Sequence, residues 1–353
     1  MGAWADTDGR EMRDLDVRRV TPLASGPDAG AAVEVADGAG NADIAAKRGA
    51  SDPGCPPTTI SVVVPTLNAG LGFARLCLHL AEMRERHGLD VLIIDSGSTD
   101  GTPERADQAG LRVHRIDRAE FGHGRTRNLG VRLTGGDVVC FLTQDVLPCT
   151  PDWPLRFADR LADPDVAGVY GRQVPRDATT MEMFFVQLNY PAEPLRFRPR
   201  PDGHNPRPGR VLFSNAFSAV RRDVIERIPF VDHVPVSEDQ VWAYQVLAAG
   251  RSIAYEPRAE ALHAHEYSLR GLFRRTYRIG RALRAIGIDG GATLGESVRF
   301  LASEIAYFVR QGHAHRLPQL LAYEFVRWAG FQVGRRATPP TADMGRTPRG
   351  EIR

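Results

Sequence analysis

Three short apolar runs, each closed by a polar turn and separated by helical stretches, restrict this chain to an α/β fold. Ile60-Ser61-Val62-Val63-Val64 stops at Pro65, Val91-Leu92-Ile93-Ile94 ends at Asp95, and Val138-Val139-Cys140-Phe141-Leu142 leads to Asp145. Short runs of this kind, rich in β-branched residues and without polar alternation, read as parallel strands buried on both faces. A further strand is expected at Leu111 to Ile116. Helices are expected from Leu71 to His87, after the Thr102-Pro103 start signal, and from Thr126 to Leu133. Strand and helix alternating in this rhythm argue for a mainly parallel sheet with helices on both sides. Such a sheet keeps its ligands at the carboxyl ends of its strands.

The 353 residues allow one large domain with appendages. Residues 1–57 are rich in Ala, Gly, Asp and Arg without periodicity and are read as a disordered extension, so that folding begins at Thr59. The main folded domain is expected over 58–267, a helical extension over 268–336 and a frayed tail over 337–353. After Trp153 the signals are weaker. A strand is expected at Val166 to Gly171, a short helix at Met181 to Asn189, a Pro- and Arg-rich surface loop at Pro191 to Pro208, and a strand at Val211 to Phe213. A helix from Ser237 to Ala249 carries a capping-box pattern, Ser237 with Gln240, and a Gly250 stop.

The formal net charge of +2 gives no global reason to bind nucleic acid, and none is expected as a partner. Lys47 is the only lysine. Cys55, Cys77, Cys140 and Cys149 lack metal or disulfide spacing and fit a reducing cytoplasm. No run of about 18 apolar residues predicts a spanning helix, and the N-terminus lacks the apolar core of a secretory signal. Between Ser268 and Arg336, twelve arginines face four acids, and apolar positions recur at helical spacing. A basic amphipathic segment of this kind suits peripheral contact with the inner face of an anionic membrane; the plainer reading is a solvated helix face.

Six constellations could carry chemistry. Pro65-Thr66-Leu67-Asn68 and Asp95-Ser96-Gly97-Ser98-Thr99-Asp100-Gly101 follow the first two strands and reach the same sheet edge. Neither is a dinucleotide fingerprint nor a phosphate loop of the Walker type. Phe121-Gly122-His123-Gly124-Arg125-Thr126-Arg127-Asn128 offers a guanidinium fork and an amide near possible ligands. Thr143-Gln144-Asp145 presents a lone acid past a buried strand, Glu238-Asp239 puts two acids in a first helical turn, and His263-Ala264-His265 sends two rings to one face of an extended segment. Each alone has a bland explanation as turn, cap or surface chemistry.

Taken in order, these motifs resemble the family 2 inverting glycosyltransferases of the GT-A fold. The Phe-Gly-His-Gly-Arg-Thr-Arg-Asn and Thr-Gln-Asp-Val-Leu-Pro segments are most similar to the rhamnosyltransferase-type branch. The similarity covers about Thr59 to Tyr267. It implies that Pro65, Thr66, Asn68, Asp95 and Ser98 hold a nucleoside, with Gln144 in the same donor set, and that Arg127 and Asn128 approach the ribose, diphosphate or sugar. It implies that Asp145, at the last position of the family's Asp-x-Asp motif, binds Mg²⁺ or Mn²⁺ with His265 or His263. Thr143 stands where the first acid is common, which leaves fewer anionic ligands. Asp239 is implied as general base, Glu238 as its support, and Trp242 as part of the acceptor site. The implied donor is dTDP-L-rhamnose or another nucleotide sugar carrying UDP or GDP. The implied acceptor is a surface glycan or its polyprenyl-linked precursor. Two other readings remain open from sequence: a nucleotide-sugar-binding module without turnover, and a nucleotidyltransferase.

Overall fold

The computed structural model describes residues 33–35, 58–175, 184, 186, 188–199, 212–232, 234, 236–263, 268–285 and 294–337. A sheet of ten strands forms the centre. The first half follows the sequence pattern: β2 (Ile60–Thr66), α1 (Phe73–His87), β3 (Asp90–Asp95), α2 (Thr102–Gln108), β4 (Arg112–Arg115), α3 (His123–Leu133) and β5 (Val138–Leu142). These four strands are parallel, in the order β4-β3-β2-β5. The chain builds outward from β2 on one side and then returns to place β5 on the other. The loops after β2 and β5 therefore diverge and leave a crevice, the usual ligand position in such sheets.

Alternating side chains feed two cores. Val62, Val64, Ile93, Cys140 and Leu142 pack with Leu76, Leu80 and Met83 of α1 and with Trp153 and Phe157 of α4 (Trp153–Leu161). Val63, Leu92, Ile94, Val139 and Phe141 face the opposite core, with Phe230, Trp242 and Tyr255. The period-two pleat of the backbone produces this division.

The second half is mixed. The sheet continues through β9 (Phe217–Arg221), β7 (Val166–Val174), β10 (Ser252–Leu262), β8 (Leu195–Phe197) and β1 (Val33–Val35). β9 runs antiparallel to both neighbours, β5 and β7, whereas β7 and β10 are parallel. The parallel expectation thus holds for residues 60–142 and gives way beyond them. A two-residue strand, β6 (Leu147–Pro148), pairs antiparallel with the end of β10. α5 (Arg222–Ile225), α6 (Glu238–Ala248), α7 (Leu269–Ala285), α8 (Leu294–Arg310) and α9 (Leu317–Arg336) complete the chain.

Several expectations need correction. Val33–Val35 pairs with β8, so the segment before residue 57 contributes an edge strand. The expected strand at Val211 to Phe213 is absent from the described Leu212 and Phe213; the strand begins at Phe217, after the Asn215-Ala216 turn. Leu195–Phe197 forms a strand inside the expected loop. Thr102 does not cap α2. Its backbone N–H and hydroxyl both donate to Asp100, which does the capping work from two residues upstream. The capping box of α6 does not form, because Ser237 adopts φ 68° and makes no side-chain cap bond, while Gln240 donates to the Phe213 carbonyl. The Gly250 stop is as expected: φ is +82°, its N–H donates to Leu247, and Arg251 donates to Val246, which satisfies the last carbonyls of α6.

Candidate active site

The carboxyl edge of the sheet is stitched together by its own loops. Asp95 is buried at the end of β3. One of its oxygens accepts from the Thr66 hydroxyl at 3.1 Å and the Ser98 hydroxyl at 2.5 Å. The other accepts from the Gly97 and Ser98 N–H groups at 3.1 and 2.9 Å. Four donors occupy the acceptor sites a carboxylate offers, so Asp95 shapes the loop. Asn68, at φ 46°, accepts from the Thr99 N–H at 2.9 Å, and its own N–H donates to Ser98 Oγ at 2.8 Å. Gln144, beyond β5, clamps Leu67 from both sides, accepting from its N–H at 2.7 Å and donating to its carbonyl at 3.1 Å. The motifs after β2, β3 and β5 thus form one bonded platform. A cleft of about 410 Å³ opens beside Asp95, Gly97 and Ser98, with Arg115, Asp117 and Glu120 on its wall. A smaller hollow of about 190 Å³ lies at Asp145, Ala69 and Arg75.

Arg127 and Asn128 point elsewhere than the sequence suggests. Arg127 is buried, and its Nη1 donates to Glu238 Oε1 at 2.8 Å and to the His123 carbonyl at 3.1 Å. The Asn128 amide donates to Phe230 O at 2.8 Å and Asp232 at 3.1 Å, and its oxygen accepts from the Phe230 N–H. The amide group of Asn128 is thereby committed to the loop before α6. Trp242 is also a core residue, wholly buried with its indole N–H on the Ile228 carbonyl.

Glu238 and Asp239 diverge in environment. Glu238 is buried against Arg127 and also accepts from the Asn215 side-chain amide at 3.3 Å. Asp239 is half-buried and accepts from the Asn215 N–H at 3.1 Å and the Gln240 N–H at 2.8 Å. Asn215 sits one residue before Ala216, whose carbonyl accepts from Thr143 at the end of β5. This link fixes Asp239 to the same sheet edge. Removal from water, together with the adjacent Glu238 charge, raises Asp239 to about 7, and Arg127 acts in the opposite sense. Burial and the Asp239 charge push the Tyr190 phenol up. Burial holds His123 below the ordinary imidazole range; Arg127 and Arg278 of α7 reinforce this and Glu238 opposes it. The described non-glycine residues with positive φ are Asn68 and Ser237, and both sit at this edge, where backbone strain is commonly found at functional sites.

The pairing of β6 with β10 sets Leu147 opposite Leu262 and brings Asp145 to His263. His263 Nδ1 bonds Gln173 Oε1 at 2.7 Å, which fixes the proton there and turns Nε2 towards Asp145 Oδ1, 3.6 Å away. A carboxylate oxygen and an imidazole nitrogen at this spacing, the ring held by a neighbouring amide, suit two ligands of one divalent ion. His265 lies outside the described residues. No cluster of three or more His, Cys, Asp or Glu able to hold a metal occurs among the described residues, so further ligands have to come from beyond this pair. Sequence reasoning missed Asn215, Gln173 and Tyr190. Only Asn215 carried a local signal, as a turn residue ahead of an apolar run.

Residues 61–228 match the model of the family described as "Glycosyl transferase family 2". O-antigen chain rhamnosyltransferase WbaN of Salmonella anatum is 32% identical over 283 residues, which is 78% of this chain and 89% of that protein. The chain belongs to glycosyl transferase family 2. O-antigen chain rhamnosyltransferase RfbN of Salmonella typhimurium is similar at 31% identity with the same coverage. Among solved structures, the mannosyltransferase PcManGT from Pyrobaculum calidifontis, in complex with GDP-Man and Mn²⁺, aligns at TM-score 0.55 and 21% identity over 80% of this chain and 89% of that one. This likeness concerns the fold, which is the GT-A type. The protein is therefore a family 2 glycosyltransferase.

Proposed function

We propose that this glycosyltransferase moves L-rhamnose from dTDP-L-rhamnose to a lipid-linked glycan precursor of a surface polysaccharide, inverting the anomeric centre. The similarity to two O-antigen rhamnosyltransferases supports the donor and acceptor classes. The observation that carries the chemistry is Asp239: a half-buried carboxylate, raised to about 7 and held at the sheet edge by Asn215.

Asp239 accepts the proton of the acceptor hydroxyl as that oxygen attacks the anomeric carbon. The carbon–oxygen bond to the nucleoside diphosphate breaks on the opposite face, and the leaving group departs as an anion. A single carboxylate suffices for this direct displacement. A divalent ion held by Asp145 and His263, when bound, supplies a positive charge to the diphosphate. Glu238 and Arg127 position the turn that carries Asp239. Pro65, Thr66, Asn68, Asp95 and Ser98 shape the nucleoside cleft, Asp95 and Asn68 through the loop bonds they make. Gln144 holds that cleft to the β5 loop.

The test is transfer by pure protein from a panel of nucleotide sugars, with Mg²⁺ or Mn²⁺ and a lipid-linked acceptor. Rhamnosyl transfer with inverted configuration is expected. Asp239→Asn should abolish it while leaving donor affinity within a few-fold of wild type. Loss of donor binding in that variant removes Asp239 from the base role. Tight donor binding without transfer in the wild type establishes a binding module instead.

A further inference from the structure

The outward side of α9 carries a strip that the transfer reaction does not use. Leu321, Phe325 and Trp328 recur at helical spacing and are 47%, 65% and 56% exposed. The rings of Phe325 and Trp328 lie side by side, centroids 6.1 Å apart. The inward side of the same helix is fully employed. Gly330 and Gly334 lie against the backbone of α7, and Leu320 packs with Tyr307, Phe308 and Phe184. The apolar strip is therefore surplus to folding.

Its charges are one-sided. The only acid of α9, Glu324, is mostly buried and paired with Arg327, which stacks over Phe300 of α8. Arg336 is exposed and lies on the same face of α9, eleven residues after Phe325. Arg299 and Arg310 are exposed on α8 beside the exposed Val298 and Val309. A second copy of this chain is a poor occupant, because a two-fold contact would set one arginine-rich surface against another. None of the described helices is long and apolar enough to cross a membrane. Exposed aromatic and aliphatic side chains, with exposed arginines at the end of α9 and on α8 and no exposed acid on α9, match the boundary of a bilayer with anionic headgroups.

We propose that α9 lies along the surface of an anionic membrane, with Leu321, Phe325 and Trp328 entering the headgroup boundary and the flanking arginines meeting lipid phosphates. α7, packed against α9, carries Arg278 close enough to influence His123 beside Glu238. The same helical unit thus connects the lipid surface to the site.

The test uses the full chain and reads lipid partition without donor or acceptor, so it stands apart from the donor assignment. Flotation is measured with vesicles of phosphatidylglycerol and phosphatidylcholine, and with phosphatidylcholine alone. Trp153 and Trp242 are fully buried, so a Trp4→Phe background makes Trp328 the responsive fluorophore. Expected are binding to the anionic vesicles, a blue shift, and quenching by brominated lipid. Leu321→Ser/Phe325→Ser/Trp328→Ser should lower partition about tenfold or more, with the circular dichroism spectrum and Tm retained. Arg310→Gln/Arg336→Gln should lower it several-fold. Equal partition of the triple variant and wild type overturns the proposal. So does a triple variant that turns a dimer into a monomer without changing vesicle binding; that result assigns the strip to a second copy.

Discussion

Replacing one member of the Arg127–Glu238 pair should move the pH profile of transfer in a direction set by which charge is removed. The two side chains are 4% and 5% exposed and 2.8 Å apart, so each neutralises the other in a site with little water. Both also act on Asp239: Glu238 raises it and Arg127 lowers it. At an effective dielectric of about 20, a unit charge ~7 Å from a carboxylate is worth ~2.5 kcal/mol, or ~2 pH units. Asp239 works as a base only when ionised, so the acid limb of kcat/KM should lie near 7 in the wild type. Glu238→Gln should shift that limb towards acid by about one to two units, and Arg127→Met should shift it towards alkali by a similar amount. Both variants should lose stability, Arg127→Met by about 3–5 kcal/mol because it strands a buried carboxylate. The double variant Arg127→Met/Glu238→Gln should recover most of that loss and return the limb towards 7. The assay is kcat/KM against pH with the donor that supports transfer, alongside thermal unfolding. Parallel shifts of the limb in both single variants, or no shift in either, would refute the electrostatic coupling and leave the pair a purely structural one.

Three other outcomes follow from particular contacts. Asp145→Asn should raise the metal concentration needed for half-maximal transfer by about tenfold or more, and Gln173→Leu by a smaller factor through its hold on His263, both read by metal titration. Gly330→Ala places a methyl group against Thr276 Oγ1 and the Phe273 carbonyl, so it should cost about 1–3 kcal/mol in unfolding experiments. Burial and the neighbouring Glu324 push Glu304 up to about 8. Its folded-state value lies above its unfolded one, so its protonated form favours folding and stability falls as pH rises from about 4.5 to 8. Glu304→Gln should therefore narrow the difference in Tm between pH 5 and pH 8.

The parallel half of the sheet was legible because its strands are uninterrupted apolar runs, buried on both faces, with clear turn signals after each. The antiparallel insertion was not. Phe217-Ser218-Ala219-Val220-Arg221 has polar and small residues that do not stand out, and its place between β5 and β7 depends on pairing partners more than 40 residues away in sequence. Val211-Leu212-Phe213 drew the strand assignment because it is the more apolar run. Phe213 instead fills the core beside Trp242. The Ser237–Gln240 pattern failed for a local reason: a left-handed Ser237 forms no side-chain cap bond, and Gln240 finds the Phe213 carbonyl instead. The order of the site motifs was readable from the chain; the direction each side chain takes was not, since Asp95 or Arg127 can serve a ligand or a neighbouring loop with the same sequence around it.

That division bears on how the site works. Asp95, Asn68, Gln144, Asn128 and Arg127 all bond to other parts of the protein, and together they lock the loops after β2, β3 and β5 and the entry to α6 into one frame. Asp239 differs from Asp95, Arg127 and Asn128 in being only partly enclosed, and Asp145 is exposed. A frame of this kind fixes where a donor and an acceptor can sit before either arrives, which lowers the ordering cost of reaching the transition state. It also predicts two classes of substitution. Asp95→Asn keeps the shape of the side chain but replaces one acceptor oxygen with a donor facing the Ser98 N–H or hydroxyl. It should therefore raise KM for the donor and lower Tm together. Asp239→Asn should abolish transfer with a smaller loss of Tm, since it sets one amide NH2 against the Asn215 or Gln240 N–H but also removes a carboxylate held at a raised pKa by burial. If Asp95→Asn lowers kcat with Tm unchanged, Asp95 acts on the substrate itself and the frame does not include it.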